Sequence, residues 1–138
     1  MKPMSDNIFL DTNIMVYAHT DVDVTKQFVA QKLIADNTSF ISNQVLQELA
    51  NTLNRKFKHT WNDVAKVLRE AIGNNNVHNN TENTTLQACQ IADRYGFSFY
   101  DSLIISAAID CNCTILFSED LHDSQVIDKK ITVKNPFK

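Results

Sequence analysis

An excess of positive charge is the first thing this chain lacks. Its 13 Lys and Arg are outnumbered by 16 Asp and Glu, leaving a net charge of -3. That balance argues against a protein that coats nucleic acid through bulk charge. It does not exclude a nuclease, because a bound metal ion would offset a cluster of acids. Cysteine is scarce as well. Cys89, Cys111 and Cys113 make an odd count without regular spacing, so no disulfide framework is expected. Cys111-x-Cys113 has no second ligand pair for a structural zinc, and the three read as reduced thiols. Long apolar runs are missing. The longest uncharged one, Leu103 to Ile109, is far too short to span a bilayer. No apolar segment of a signal peptide stands at the N-terminus. A soluble, cytoplasmic protein with no membrane partner is therefore expected. The four histidines, His19, His59, His78 and His122, show neither metal-ligand spacing nor a common partner. That removes a ribonuclease mechanism built on a general acid and a general base histidine. No internal repeat is present.

What remains suits one globular domain over residues 1–138, with 43% hydrophobic and 21% charged residues. A chain of this size buries a sizeable core without staples. Ile8-Phe9-Leu10 is a continuous apolar run, flanked by Asp6-Asn7 and Asp11, as in a parallel strand covered on both faces. Thr12-Asn13 are expected to turn the chain. Val24 to Ala35 carries apolar residues at helical spacing (24, 28, 29, 33 and 34), with Asp23 or Thr25 as cap. Ser39-Phe40-Ile41 reads as a second strand. A helix capped by Ser42 or Asn43 follows to about Phe57, with Leu46, Leu49, Leu53 and Phe57 as its stripe and Glu48 at the border of that stripe. Thr60 caps another helix, Trp61 to Ile72, ended by Gly73.

The Asn- and Thr-rich stretch from Asn74 to Thr85 reads as a surface loop with a weak strand at Val77-His78. Leu86 to Tyr95 is a helix with Leu86, Cys89, Ile91, Ala92 and Tyr95 inward, stopped by Gly96. Asp101-Ser102 opens a helix from Leu103 to Cys111 that is apolar nearly all round and so expected to be buried. Thr114 to Phe117 is a strand like the first and ends at Ser118-Glu119-Asp120. Ile131-Thr132-Val133 is a last edge strand, and Pro136 ends regular structure. Strands alternating with helices imply an α/β layered fold with a short central parallel sheet. In such sheets ligands bind beyond the carboxyl ends of the strands, where Asp11 and Asp120 fall.

Taken singly, the acids have bland readings. Asp11-Thr12-Asn13 is ordinary turn and cap chemistry, Glu48 a solvated helix face, Asp101 an N-cap, and Asp120 a turn residue. Together they ask for more. Carboxylates about 4–5 Å apart repel by roughly 3–4 kcal/mol per pair at an effective dielectric of 20. A fold that gathers them calls for a counter-charge, and a hard divalent cation suits oxygen ligands. Such an ion polarises a phosphoryl oxygen and lowers the pKa of a bound water.

The runs Ile8-Phe9-Leu10-Asp11-Thr12-Asn13, Ser42-x5-Glu48, Phe99-Tyr100-Asp101-Ser102-Leu103-Ile104 with Ala107-Ala108, and Leu116-Phe117-Ser118-Glu119-Asp120-Leu121 occur in this order across essentially the whole chain. In that set the sequence resembles a PIN-domain ribonuclease, and within that family the VapC-like toxins of type II toxin–antitoxin pairs. The resemblance implies a PIN-like three-layer fold and a Mg²⁺- or Mn²⁺-dependent endoribonuclease. It implies Asp11, Glu48, Asp101 and Asp120 as catalytic, metal-binding acids, with Thr12, Asn13 and Ser118 orienting them or the substrate. RNA would be the substrate, a homodimer the assembly, and a small DNA-binding antitoxin the inhibitor. Two departures stand out. Ser118 replaces the family's usual Thr, and Glu119 and Asp123 surround Asp120, leaving three neighbouring acids as candidates for the fourth ligand.

Basic residues at Arg55-Lys56-x-Lys58-His59 and at Lys129-Lys130 are candidates for RNA backbone contact, although solvated charge is the commoner use of such runs. Phe57 and Trp61 could stack on bases; at helical spacing they more often serve a core or a dimer interface. Two rival readings carry different chemistry. An aspartyl-phosphate phosphatase would use Asp11 as nucleophile, but the haloacid-dehalogenase-like pattern wants a second Asp where Asn13 stands. A non-catalytic PIN-like or receiver-like binding module would need no acids at all.

Overall fold

The computed structural model describes residues 7–138; Asp6, read above as a flank of the first strand, lies outside that range. At its centre β1 (Asn7–Leu10) runs parallel to β2 (Thr38–Ser42) on one side and β4 (Ile115–Phe117) on the other. Phe9 stands beside Phe40 and Leu116 in the register. Ile8, Phe9 and Leu10 are essentially inaccessible, as expected for a strand covered on both faces. β3 (Asn76–His78) extends the sheet beyond β2, and β6 (Ile131–Lys134) extends it beyond β4, both parallel. The order is β3-β2-β1-β4-β6-β5, the last being the two-residue β5 (Val126–Ile127), antiparallel to β6. This is the α/β architecture expected, with one correction. Ile131 to Lys134 is not the edge strand, because β5 pairs outside it; two residues are too few to leave a strand pattern in the sequence.

Six helices complete the described residues: α1 (Thr12–His19), α2 (Val24–Asp36), α3 (Asn43–Arg55), α4 (Trp61–Asn74), α5 (Glu82–Tyr95) and α6 (Phe99–Asp110). α1 replaces the turn expected at Thr12-Asn13. Asp11 caps it, its carboxylate accepting from the Thr12 N–H, and Ile14, Met15 and Ala18 face the core. The same residue types that favour turns also favour helix starts, and eight residues give little periodicity to read. α2 is capped by Asp23, whose side chain accepts from the Lys26 N–H, and its expected stripe is buried only in part, with Leu33 and Ile34 half-buried against the core. Val24 and Phe28 are exposed, and Ala30 is the buried position.

α3 starts on the residue after β2, with the Ser42 hydroxyl accepting from the Val45 N–H. Leu49 and Leu53 are buried as expected. α4 runs through Gly73 to Asn74, and the Asn75 side chain closes it by donating to the Ala71 carbonyl at 2.9 Å. α5 begins four residues before Leu86, because Thr81 and Thr84 form a reciprocal capping box. Its inward face is Thr84, Ala88 and Ile91, whereas Leu86 and Cys89 are exposed. A polar Thr on the buried face disguised the first turn as loop. Gly96 does stop α5, in the left-handed conformation at φ 76° that glycine adopts at little cost. α6 is capped by Ser98 rather than Asp101 and is buried from Ser102 to Ala108, as its all-round apolar sequence requires.

The revised α5 face and the buried α6 give paired expectations for chemical denaturation. Ile105→Ala, at a fully buried position of α6, should cost about 2–5 kcal/mol of unfolding free energy. Leu86→Ala, on the exposed face of α5, should stay within about 0.5 kcal/mol of the parent protein.

Candidate active site

Three neighbouring parallel strands end together, and the next residue of each is polar or acidic: Asp11 after β1, Asn43 after β2, Ser118 after β4. Asp11 is the pivot. Its N–H donates to the Phe117 carbonyl at 3.0 Å, carrying the sheet pairing one residue further. Its carboxylate accepts from the Thr12 N–H at 2.7 Å and from the Ser118 hydroxyl at 2.8 Å. The residue is only 7% exposed. Burial pushes its pKa up to about 6. The Ser118 and Thr12 hydrogen bonds oppose that rise, and the negative charges of Glu48 and Asp101 add to it.

Glu48, half-buried on α3, accepts from the Thr12 hydroxyl at 2.6 Å. Thr12 thus connects the first two acids, donating its backbone N–H to Asp11 and its hydroxyl to Glu48. Gln44, one turn earlier on α3, lies 3.4 Å from Glu48 Oε2 and donates its amide to the Tyr100 carbonyl at 3.2 Å. That contact ties α3 to the start of α6, where Asp101 sits in the first helical turn. A carboxylate is favoured there by the helix dipole. Asp11, Glu48 and Asp101 therefore share one electrostatic neighbourhood.

The fourth acid comes by a different route. Asn13 donates its side-chain amide to Asp120 Oδ2 at 3.0 Å and accepts the Glu119 N–H on its carbonyl oxygen at 3.2 Å. The Ser118 hydroxyl oxygen accepts from the Asp120 N–H at 3.2 Å while donating to Asp11. The two rivals of Asp120 are occupied elsewhere. Glu119 accepts from the Tyr17 hydroxyl at 2.8 Å and pairs with Lys26. Burial would raise the Glu119 pKa, but the hydrogen bonds from Lys26 and Tyr17 bring it below the usual carboxylate range. Asp123 accepts from the Asn135 N–H at 2.7 Å.

The donor set suits a hard divalent ion. All four acids offer oxygen, and Gln44 Oε1 is buried with no hydrogen-bond partner among the described residues. Among those residues no three His, Cys, Asp or Glu side chains already stand together as a ready metal cage. Beside the acids opens a groove of about 490 Å³, lined by Thr12, Asn13, Glu48 and Asp120 together with Tyr17, Lys56 and Phe57. Of the basic segment read from the sequence, Lys56 reaches this groove, its ammonium 5.6 Å from the Phe57 ring centre. Lys129 and Lys130 line a separate depression with Arg94 and Tyr95. Trp61 is exposed rather than buried in the core.

The PIN-domain family profile matches residues 8–127. The chain belongs to the PIN-domain family. No curated protein sequence matches it, but solved PIN-type structures do. VapC20 of Mycobacterium tuberculosis, a toxin that cleaves the sarcin–ricin loop, superimposes with a TM-score of 0.67 at 22% identity, over 82% of this chain and 91% of that one. VapBC2 of Rickettsia felis, solved on a fragment of its promoter DNA, gives 0.69 at 22% identity, over 94% and 98%. VapBC of Salmonella typhimurium, also bound to DNA, gives 0.65 at 19% identity, over 96% and 99%. At these identities the likeness is one of fold, and the helix-flanked, mostly parallel sheet of this PIN domain is the shared feature.

Three residues that touch the candidate acids or their neighbours went unread in the sequence: Gln44, Tyr17 and Lys26. Gln44 lies four positions before Glu48, on the same helix face, and that spacing could have flagged it. Tyr17 and Lys26 meet Glu119 only through tertiary structure.

The raised Asp11 pKa has a consequence for stability. Because the folded value lies above the ordinary 3.8, ionising Asp11 works against folding. The penalty is absent below about pH 4, grows as pH rises through 6, and then stays constant. Asp11→Asn should stabilise the metal-free protein by about 1–3 kcal/mol at pH 7.5. Thermal melts across pH should show that gain disappear near pH 4. The same variant should lose any Mn²⁺-induced rise in melting temperature.

Proposed function

We propose that this PIN domain is a metal-dependent endoribonuclease, the toxin of a toxin–antitoxin pair, with Asp11, Glu48, Asp101 and Asp120 as its metal-binding acids. One observation carries the reading. A buried carboxylate is held beside two further negative charges at the carboxyl edge of the sheet, an arrangement that costs stability and calls for a cation. Membership of the PIN family and the likeness to VapC20, a toxin that cleaves the sarcin–ricin loop, support RNA as substrate.

When bound, Mg²⁺ or Mn²⁺ would supply Lewis acidity, neutralising phosphate charge and making water a better nucleophile. The residues of the chain then have separable tasks. Asp11 must be ionised to hold the ion, so binding of Mn²⁺ to the metal-free chain should weaken as pH falls through about 6. Thr12 and Ser118 fix the orientation of Asp11, and Thr12 also fixes Glu48. Asn13 keeps Asp120 turned toward the groove. Lys56, in the lining of the groove, is the group suited to an RNA phosphate, and the Phe57 ring beneath it to a base. No side chain needs to form a covalent bond with the substrate.

The partner readings rest on the same likeness. The Rickettsia and Salmonella relatives are toxin–antitoxin complexes on DNA, and by analogy a small DNA-binding antitoxin would inhibit this chain. A homodimer and a cytoplasmic location belong to the same proposal. No described helix is long and apolar enough to cross a membrane. Exposed Trp61, Phe28 and Ile72 offer apolar surface for a dimer contact.

The test is RNA cleavage by the purified chain with Mn²⁺ or Mg²⁺ and with EDTA, beside Asp101→Asn. That substitution keeps the shape and removes the charge. Cleavage should require the ion and fall by at least about 100-fold in the variant. Equal cutting by both proteins would point to a contaminating nuclease. A folded chain that binds the ion and leaves RNA of varied sequence and structure uncut would favour a binding module.

A further inference from the structure

Ser118, Glu119 and Asp120 are consecutive, yet their side chains are anchored on three different partners. Ser118 holds Asp11, Asp120 faces Asn13, and Glu119 is drawn away to Tyr17 and Lys26. The last anchor is the most elaborate. Lys26, from α2, pairs with Glu119 Oε2 and lies 3.4 Å from the Tyr17 hydroxyl, which donates to Glu119 Oε1 at 2.8 Å. The ammonium also stands 4.8 Å from the Tyr17 ring centre and 5.1 Å from that of Phe137. Those two rings meet edge to face at 5.2 Å. Two helices and the C-terminal segment thus converge on one carboxylate. Asp120, by contrast, is exposed, with the Asn13 amide as its side-chain partner.

We infer that Lys26 and Tyr17 form a clamp on Glu119 that positions Asp120, making Lys26 a positioning residue for the fourth acid. The inference rests on the metal-binding reading above. Its logic is local. Asn13 uses its carbonyl oxygen on the Glu119 N–H and its amide on Asp120. It can serve both only while the loop keeps this path. The Glu119 side chain reinforces that path: beside the Asn13 and Ser118 bonds it ties the loop to Tyr17 of α1 and to Lys26 of α2. Released, Glu119 and Asp120 become two adjacent carboxylates that compete for the Asn13 amide.

Charge alone predicts the opposite of positioning, and this makes the clamp testable. Removing the Lys26 cation should tighten binding of a divalent cation through space; losing a positioning contact should weaken it. The experiment is calorimetric titration of the whole chain with Mn²⁺ in the absence of RNA, for the parent, Lys26→Met, Glu119→Gln, the double variant and Lys26→Arg. RNA cleavage kinetics and melting temperatures accompany it. Lys26→Met should weaken Mn²⁺ binding by about tenfold, in the range of orienting contacts at metal sites. The double variant should be no weaker than the worse single variant, since either change opens the same clamp. Lys26→Arg should stay within about twofold of the parent. The KM for RNA should not change, and the melting temperature should move by only a few degrees, because a partly exposed ion pair contributes little to stability.

Unchanged or tighter Mn²⁺ binding in Lys26→Met would overturn the clamp, as would multiplying penalties in the double variant. A defect confined to the KM for RNA, with a shallower salt dependence, would also overturn it and make Lys26 a phosphate contact. Failure of the parent chain to bind Mn²⁺ at all would overturn the metal-binding reading and the clamp together.

Discussion

A buried carboxylate beside two others is the constraint on which the rest of the structure depends. Asp11 is nearly inaccessible, and its ionisation is opposed by desolvation and by Glu48 and Asp101. Left alone, such a group stays protonated or reaches water. Here the Ser118 hydroxyl and the Thr12 N–H oppose the penalty without abolishing it. The site is therefore stabilised enough to persist and strained enough to favour a cation. A fold selected for stability alone would place an amide or a hydroxyl at residue 11.

The parallel sheet makes the arrangement economical. In parallel strands the carboxyl ends lie on one side, so the residues that follow β1, β2 and β4 become neighbours although they are far apart in sequence. Each of these ends is followed by a group that starts a helix or turn: the Asp11 cap on α1, the Ser42 cap on α3, and the Ser118 oxygen accepting from Asp120 and Leu121. Helix initiation and site construction use the same atoms. Thr12 shows the coupling most directly, since its backbone belongs to the α1 start and its hydroxyl to Glu48.

The legibility of the sequence followed from this coupling. Covered strands such as Ile8-Phe9-Leu10 carry an unbroken apolar signal, and α6 announces its burial by being apolar all round. Elements whose inward residues are small or polar carried little signal. α1 is short and follows turn-like residues. α2 turns on Ala30 and leaves Phe28 outside, and α5 opens with a buried Thr84. The two-residue β5 carried none. Within the candidate site, the acids and their hydroxyl or amide supports could be read because strand ends and short motifs mark them. Lys26 and Tyr17 could not, because their meeting with Glu119 spans about a hundred residues and exists only once α1, α2 and the loop after β4 are packed.

The charge balance then closes on the substrate. A chain with a net charge of -3 that gathers acids at one edge repels a polyanion where it is meant to act. Lys56 in the lining of the groove offsets part of that repulsion, while Lys26 is committed to Glu119. On the proposed reading, bulk attraction cannot bring RNA into the groove, and recognition would come from the bound cation together with local contacts to phosphate and base. A cation that neutralised the acids would then have two effects on one substrate. It would remove the repulsion that keeps phosphate out, and it would supply the Lewis acid for phosphodiester hydrolysis. The acidic composition, which at first argued against a nucleic-acid protein, would on that reading be the condition that makes RNA binding depend on the metal.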